Sequence, residues 1–168
     1  MRIKHLFVFL SLHLKAFSYD KIQAEILYNG GAELIEVYID GATAGNPGLS
    51  GAGIFIKGNG QNLHYSIPLG TMTNHEAEYH ALIKGLEICL EKNFSIVSFR
   101  TDSQLVDRAI EKEFAKNPDF APLLGKALEL SKQLDLFFMK WIPSSQNKVA
   151  DELARKAVAQ QKADRREP

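Results

Sequence analysis

Cysteine, like tryptophan, occurs only once in this chain. A single Cys89 among 168 residues excludes an intramolecular disulfide and any cysteine-based zinc site. It falls inside a helical apolar pattern, where it reads as a small core residue. No apolar stretch is long enough to span a bilayer as a helix, so no membrane is expected among the partners. Neither charge sign is in excess: 20 Lys and Arg balance 20 Asp and Glu. That argues against a strong overall field for nucleic acid and leaves only a local basic patch. Internal repeats, low-complexity tracts and a heptad seam are missing too, so a monomer is the expectation. What is present is ordinary for a globular protein, with 45% apolar and 24% charged residues. The length suits one domain with a core of its own.

The most informative stretch is Val37-Tyr38-Ile39-Asp40-Gly41-Ala42, followed by Gly45-Asn46-Pro47-Gly48. A β-branched and aromatic run ends in one carboxylate and then breaks into turn residues. A carboxylate on a buried strand needs a partner, and a cation would serve. The alternative is an Asp that starts a turn by bonding its own backbone.

Around it the pattern resolves into elements. Strands are expected over residues 34–40, 52–57 and 62–69, with a hairpin signal at Gly58-Asn59-Gly60. A helix should start at Thr73-Asn74 and run to about Lys92, with Ala77, Ala81 and Gly85 as a small-residue seam. A fourth strand at 96–101 alternates apolar positions, and Asp102-Ser103 caps a helix to about Glu113. After Pro118 and Pro122 comes a helix over 123–134. The run 136–141 reads as a strand covered on both faces, and a last helix spans about 147–160. Three antiparallel strands, then two parallel ones interleaved with helices, make an α/β fold with a mixed five-stranded sheet and helices on both faces.

Two segments lie outside that core. Residues 1–33 carry Arg2 and Lys4 before the apolar run 6–14, then Ala16-Phe17-Ser18, the outline of a secretory signal. They read equally as an extension of a core domain at 34–160. Residues 161–168 read as a disordered charged tail.

Four acids occupy comparable places: Asp40 on the first strand, Glu78 in the second turn of the first helix, Asp102 at the end of the fourth strand, and Asp151 in the second turn of the last helix. Strand ends and helix starts meet at one edge of an α/β sheet. Asn74 and Glu78 share a helical face, as do Asn147 and Asp151, whereas Glu76 and Glu152 point elsewhere and read as solvated charges. Four converging carboxylates would repel and retain protons. Divalent cations relieve this, and an all-oxygen set suits Mg²⁺ or Mn²⁺. Two such ions can activate a water and stabilise a leaving oxygen, which is phosphodiester hydrolysis. A 3′–5′ exonuclease would carry Asp-x-Glu on the first strand, and here Gly41 and Ala42 follow Asp40.

Five motifs in order resemble type 1 ribonuclease H over residues 35–157. They are Tyr38-Ile39-Asp40-Gly41-Ala42, Gly45-Asn46-Pro47-Gly48, Thr73-Asn74-His75-Glu76-Ala77-Glu78-Tyr79, Thr101-Asp102-Ser103 and Asn147-Lys148-Val149-Ala150-Asp151-Glu152-Leu153-Ala154. The resemblance implies that fold, a two-metal mechanism, and the RNA strand of an RNA–DNA hybrid as substrate. It assigns metal binding and catalysis to Asp40, Glu78, Asp102 and Asp151, and substrate contact to Asn46, Asn74, Gln104 and Asn147. Amide side chains suit 2′-hydroxyls because they donate and accept. Two features depart from the family: the loop Ile142-Pro143-Ser144-Ser145-Gln146 has no histidine, and the segment 114–120 holds one lysine where some relatives carry a basic protrusion. Lys84, Lys148, Arg155 and Lys156 remain as sources of positive charge. The function implied is a cytoplasmic, metal-dependent hybrid endonuclease. Its alternatives are a hybrid-binding module of the same fold with weak or no turnover and, for location, export by the apolar run.

Overall fold

The computed structural model describes residues 33–164. The N-terminal extension and its signal-like run fall outside these residues, apart from Glu33. Five strands form one sheet: β1 (Ile35–Gly45), β2 (Gly48–Gly58), β3 (Gln61–Met72), β4 (Ile96–Thr101) and β5 (Leu136–Trp141). Four helices accompany them among the described residues: α1 (Asn74–Glu91), α2 (Gln104–Lys112), α3 (Ala121–Ser131) and α4 (Lys148–Asp164). The spatial order is β3-β2-β1-β4-β5. β1, β2 and β3 pair antiparallel, while β4 lies parallel to both β1 and β5. The mixed sheet is the one the sequence pattern implies.

The two faces follow from strand alternation. Val37, Ile39 and Phe99 lie buried on the α1 face, where the Phe99 ring and Ile39 close against the backbone of Gly85. The other face carries Asp40, paired across the ladder with Gly53. Gly53 lies against the backbone of Ala150 and Ala154 in α4, so α4 covers that face. Cys89 is fully buried in the α1 core, and burial pushes its thiol up to about 12. The cysteine is inert packing, as its helical setting suggested.

Several elements differ from their sequence outlines. β1 does not end at Asp40 but runs on to Gly45, because its hairpin with β2 continues pairing to Gly45 and Gly48. β4 is buried at every position rather than at alternate ones, since it lies inside the sheet and its Arg100 is paired with Glu36 at 2.8 Å. β5 is an edge strand, half-buried and with Lys140 and Trp141 exposed, and not covered on both faces. Glu76 is no free surface charge. It accepts from the Thr73 backbone N–H and hydroxyl, both at 2.7 Å, and closes a capping box on α1.

The last helix also outruns its expected end. Residues 161–164 are helical, not the start of a tail. Gln161 explains the extension. Its side-chain oxygen accepts from Gly70 N at 3.0 Å, and its amide donates to Ser50 O at 2.6 Å. Ser50 and Gly51 mark the bulge in the β2–β3 ladder, where ordinary pairing is interrupted. Gln161 supplies what the bulge cannot. Gln161→Ala should cost about 1–2 kcal/mol, the penalty of two backbone groups losing partners. A thermal or urea melt measures this, and an unchanged midpoint would show that the contact contributes nothing.

Candidate active site

β1 and β4 pair only from Ile35↔Val97 to Tyr38↔Arg100. Beyond Tyr38 the two strands part, and a crevice opens between Ile39 onward and the end of β4. Asp40 stands on one lip of this opening, and Asp102 follows the last residue of β4 on the other. α1 passes beneath and α4 above. Two glycines let the helices come close enough to contribute. A Cβ on Gly41 would collide with the backbone of Ala77 and Glu78, and one on Gly53 with the backbone of Ala150. Without those side chains, Glu78 and Asp151 reach the same opening as Asp40 from opposite faces of the sheet.

The resulting groove has a volume of about 630 Å³. Asp40, Glu78 and Asp151 line one end of it with Asn74, while Arg155 and Lys162 extend along α4. Asp102 stands beside the groove, near enough for its charge to act on both Asp40 and Glu78. Asp40 is only 7% exposed. Burial, then repulsion from Asp102 and Asp151, raises its carboxyl to about 7. Burial, then repulsion from Asp40 and Asp102, lifts Glu78 well above the ordinary carboxylate range. A hydrogen bond from the Gly41 backbone opposes both shifts without cancelling them.

The remaining acids are held by neighbours. Asp102 leaves the capping of α2 to Ser103, whose hydroxyl accepts from Val106 N. The Trp141 indole N–H donates to the Asp102 carbonyl at 3.1 Å, tying the ends of β4 and β5 together. Asn147 is placed differently from the other amides. It is only 1% exposed. Its amide donates to Ile39 O and to Asp102 Oδ1, both at 2.9 Å. A residue expected to touch substrate instead links β1, the end of β4 and the start of α4. Its oxygen accepts no hydrogen bond among the described residues. Asp151 is paired with Arg155 at 2.9 Å.

The other amides sit as follows. Asn46 is exposed in the β1–β2 turn, and its oxygen accepts from Asn74 N at 3.0 Å, closing the start of α1. Asn74 lines the groove. Gln104 is exposed at the start of α2, where its oxygen accepts from Arg108 at 3.2 Å. Lys162 is a groove residue that the sequence outline placed in a tail, and only the length of α4 reveals it.

Among the described residues no set of three or more His, Cys, Asp and Glu side chains is already disposed to hold a metal ion. Asp151 is turned to Arg155, and Asp102 stands beside the groove with one carboxylate oxygen engaged by Asn147. The donors still fit a hard divalent cation. They are all oxygens, and burial, then repulsion among the acids, makes the charged forms of Asp40 and Glu78 costly, a cost such an ion would relieve.

Comparison with known proteins adds context. A family model described as reverse transcriptase-like matches residues 38–157. The Enterococcus faecalis protein EbsB is 42% identical over 127 residues, 74% of this chain and 94% of its own length. The crystal structure of RNase H1 from Halobacterium salinarum superposes with a TM-score of 0.71 at 32% identity, over 76% of this chain and 98% of that one. LC11-RNase H1, solved in complex with an RNA/DNA hybrid, gives 0.69 at 30% identity over 76% of this chain and 98% of that one.

The raised Asp40 carboxyl fixes the sign of a pH dependence. Its folded value, about 7, lies above the 3.8 of an ordinary Asp carboxyl, so the folded state binds the extra proton. Metal-free stability should therefore fall as pH rises from about 4 to about 7, then level off. Asp40→Asn should remove that part of the slope and stabilise the metal-free protein at pH 8 by roughly 1–3 kcal/mol. Urea melts in chelator across this range measure it; parallel curves for the two proteins would contradict the assignment.

Proposed function

The chain belongs to the ribonuclease H family, and from that premise we propose that it hydrolyses the RNA strand of RNA–DNA hybrids using divalent metal bound by Asp40, Glu78, Asp102 and Asp151. One observation carries the reading: Asp40, Glu78 and Asp151 line one groove, and Asp102 stands near enough for its charge to act on Asp40 and Glu78. A protein gains no stability from crowding like charges at a surface it could have left neutral. The crowding makes sense as a site for cations.

When bound, Mg²⁺ or Mn²⁺ ions supply an activated water and a counter-charge for the leaving oxygen. The chain's residues supply position. Asp40 is fixed by its strand, and Glu78 by the close approach of α1 to Gly41. Asn147 and Trp141 hold the Asp102 side chain and backbone respectively. Asp151 contributes once its carboxylate turns from Arg155 to metal. Asn46 and Gln104 are exposed and Asn74 lines the groove, and their amides suit the hybrid's backbone and 2′-hydroxyls. The Asn46 oxygen is engaged by α1, so its amide N–H groups are what it offers a ligand. The substrate belongs where DNA is copied and transcribed, so we place the enzyme in the cytoplasm, acting as a monomer. No described helix is long and apolar enough to cross a membrane.

The test is cleavage of an end-labelled hybrid. With Mg²⁺ or Mn²⁺ the RNA strand should be cut internally, and chelator should stop the reaction. Asp40→Asn should lower the rate by more than about a hundredfold, beyond the roughly 10- to 100-fold expected when only an outer partner of a metal ligand is lost. Binding without cleavage under either metal would instead favour the non-catalytic module. Equal rates for wild type and Asp40→Asn would remove the assigned site.

A further inference from the structure

A hybrid running through the groove must be held away from the carboxylates as well as at them. Phosphate contacts provide most of the affinity of nucleic-acid binding, and they require cations. The segment between α2 and α3 offers little: among residues 114–120 there is one lysine, offset by Asp119. The cations stand instead on α4. Arg155 and Lys162 both line the groove. They lie four and eleven residues beyond Asp151, close to one and three helical turns, and therefore on one face. Lys156 is rotated away from that face and is not on the groove wall.

The spacing suits a polyanion. At 1.5 Å rise per residue, Arg155 and Lys162 are separated by about 10 Å along the axis, and Lys162 lies about 16 Å from Asp151. The order along α4 is thus acid for metal, then cation, then a second cation farther out. Val158 and Ala159 lie on the groove wall between the two cations. This outer position depends on the final turn of α4, which Gln161 anchors to Ser50 O and Gly70 N. A lysine in a loose tail would have no fixed relation to the site; one beside that anchor does.

We propose that Arg155 and Lys162 form a phosphate-binding track on α4, along which the strand being cut is held several nucleotides from the scissile bond. This rests on the hybrid-cleavage reading and extends it. With Asp151 serving as a metal ligand, Arg155, now paired with that carboxylate, would be available to a phosphate. Lys162 makes the outer contact and sets the salt sensitivity of binding.

The test is hybrid affinity against salt in an Asp40→Asn background, which prevents cleavage. Lys162→Ala should weaken binding about three- to tenfold at moderate salt and reduce the slope of log K against log[salt] by roughly 0.7–0.9, the share of one phosphate contact. Lys162→Arg should restore both, and Lys162→Glu should weaken binding further. Lys156→Ala, on the other side of the helix, should match the parent. Circular dichroism melts establish that each variant is folded. An unchanged slope and affinity for Lys162→Ala, with wild type still cutting hybrid, would overturn the track alone. A wild type that neither binds nor cuts hybrid would overturn the track and the function together.

Discussion

Like charges crowded around Asp40 are the constraint that organises this molecule. A buried carboxylate is costly, and a second and third beside it cost more. Asp40 and Glu78 respond by holding their protons far above the usual range. The scaffold must resist the tendency of these groups to separate, and it does so with backbone. Asp40 is inside a continuous strand, Glu78 is in the second turn of an 18-residue helix, and Gly41 brings the two together. Removing the charge would leave the architecture intact and more relaxed; removing the architecture would scatter the charge.

Rigid elements are not enough for the other two acids, which sit where elements begin or end. Asp102 occupies a bend between β4 and α2, and two long-range contacts hold it. Trp141 fixes its carbonyl and Asn147 its carboxylate. Asn147 is the more consequential because it also bonds Ile39 O, the carbonyl just before Asp40. One buried amide thus ties the backbone beside Asp40 to the carboxylate of Asp102. Asp151 is the least constrained, and its ion pair with Arg155 is largely solvent-exposed. Such a pair is worth little in water, so it yields readily to a divalent ion.

Much of this was legible from local chemistry. The alternating strands, the turn at Gly45 to Gly48, and the places of the four acids follow from patterns a few residues long. The Thr73-x-x-Glu76 spacing also fits a capping box, and the structure shows Glu76 in that role rather than as a solvated charge. What could not be read depended on partners distant in sequence. Whether Asn147 faces solvent is decided by Ile39 and Asp102, 108 and 45 residues away. The continuation of α4 past residue 160 is decided by Gly70 and Ser50, 91 and 111 residues away. β5 has the apolar content of a covered strand, yet its place at the sheet edge leaves its last residues exposed.

The zero net charge takes on a different meaning once α4 is seen whole. It excludes a field spread over the whole surface, but not a separation of charge along one groove. Asp40, Glu78 and Asp151 make one end of that groove a site for cations, while Arg155 and Lys162 make its α4 wall positive. Without cations the acid end offers a phosphate nothing to pair with, and attraction along α4 would hold the phosphates farther out. A polyanion is thereby favoured over a single phosphate group, because only a chain of phosphates can meet both the metal end and the basic wall. Selectivity for a polymer is built into the direction of one helix. It needs no excess of positive charge anywhere else on the protein.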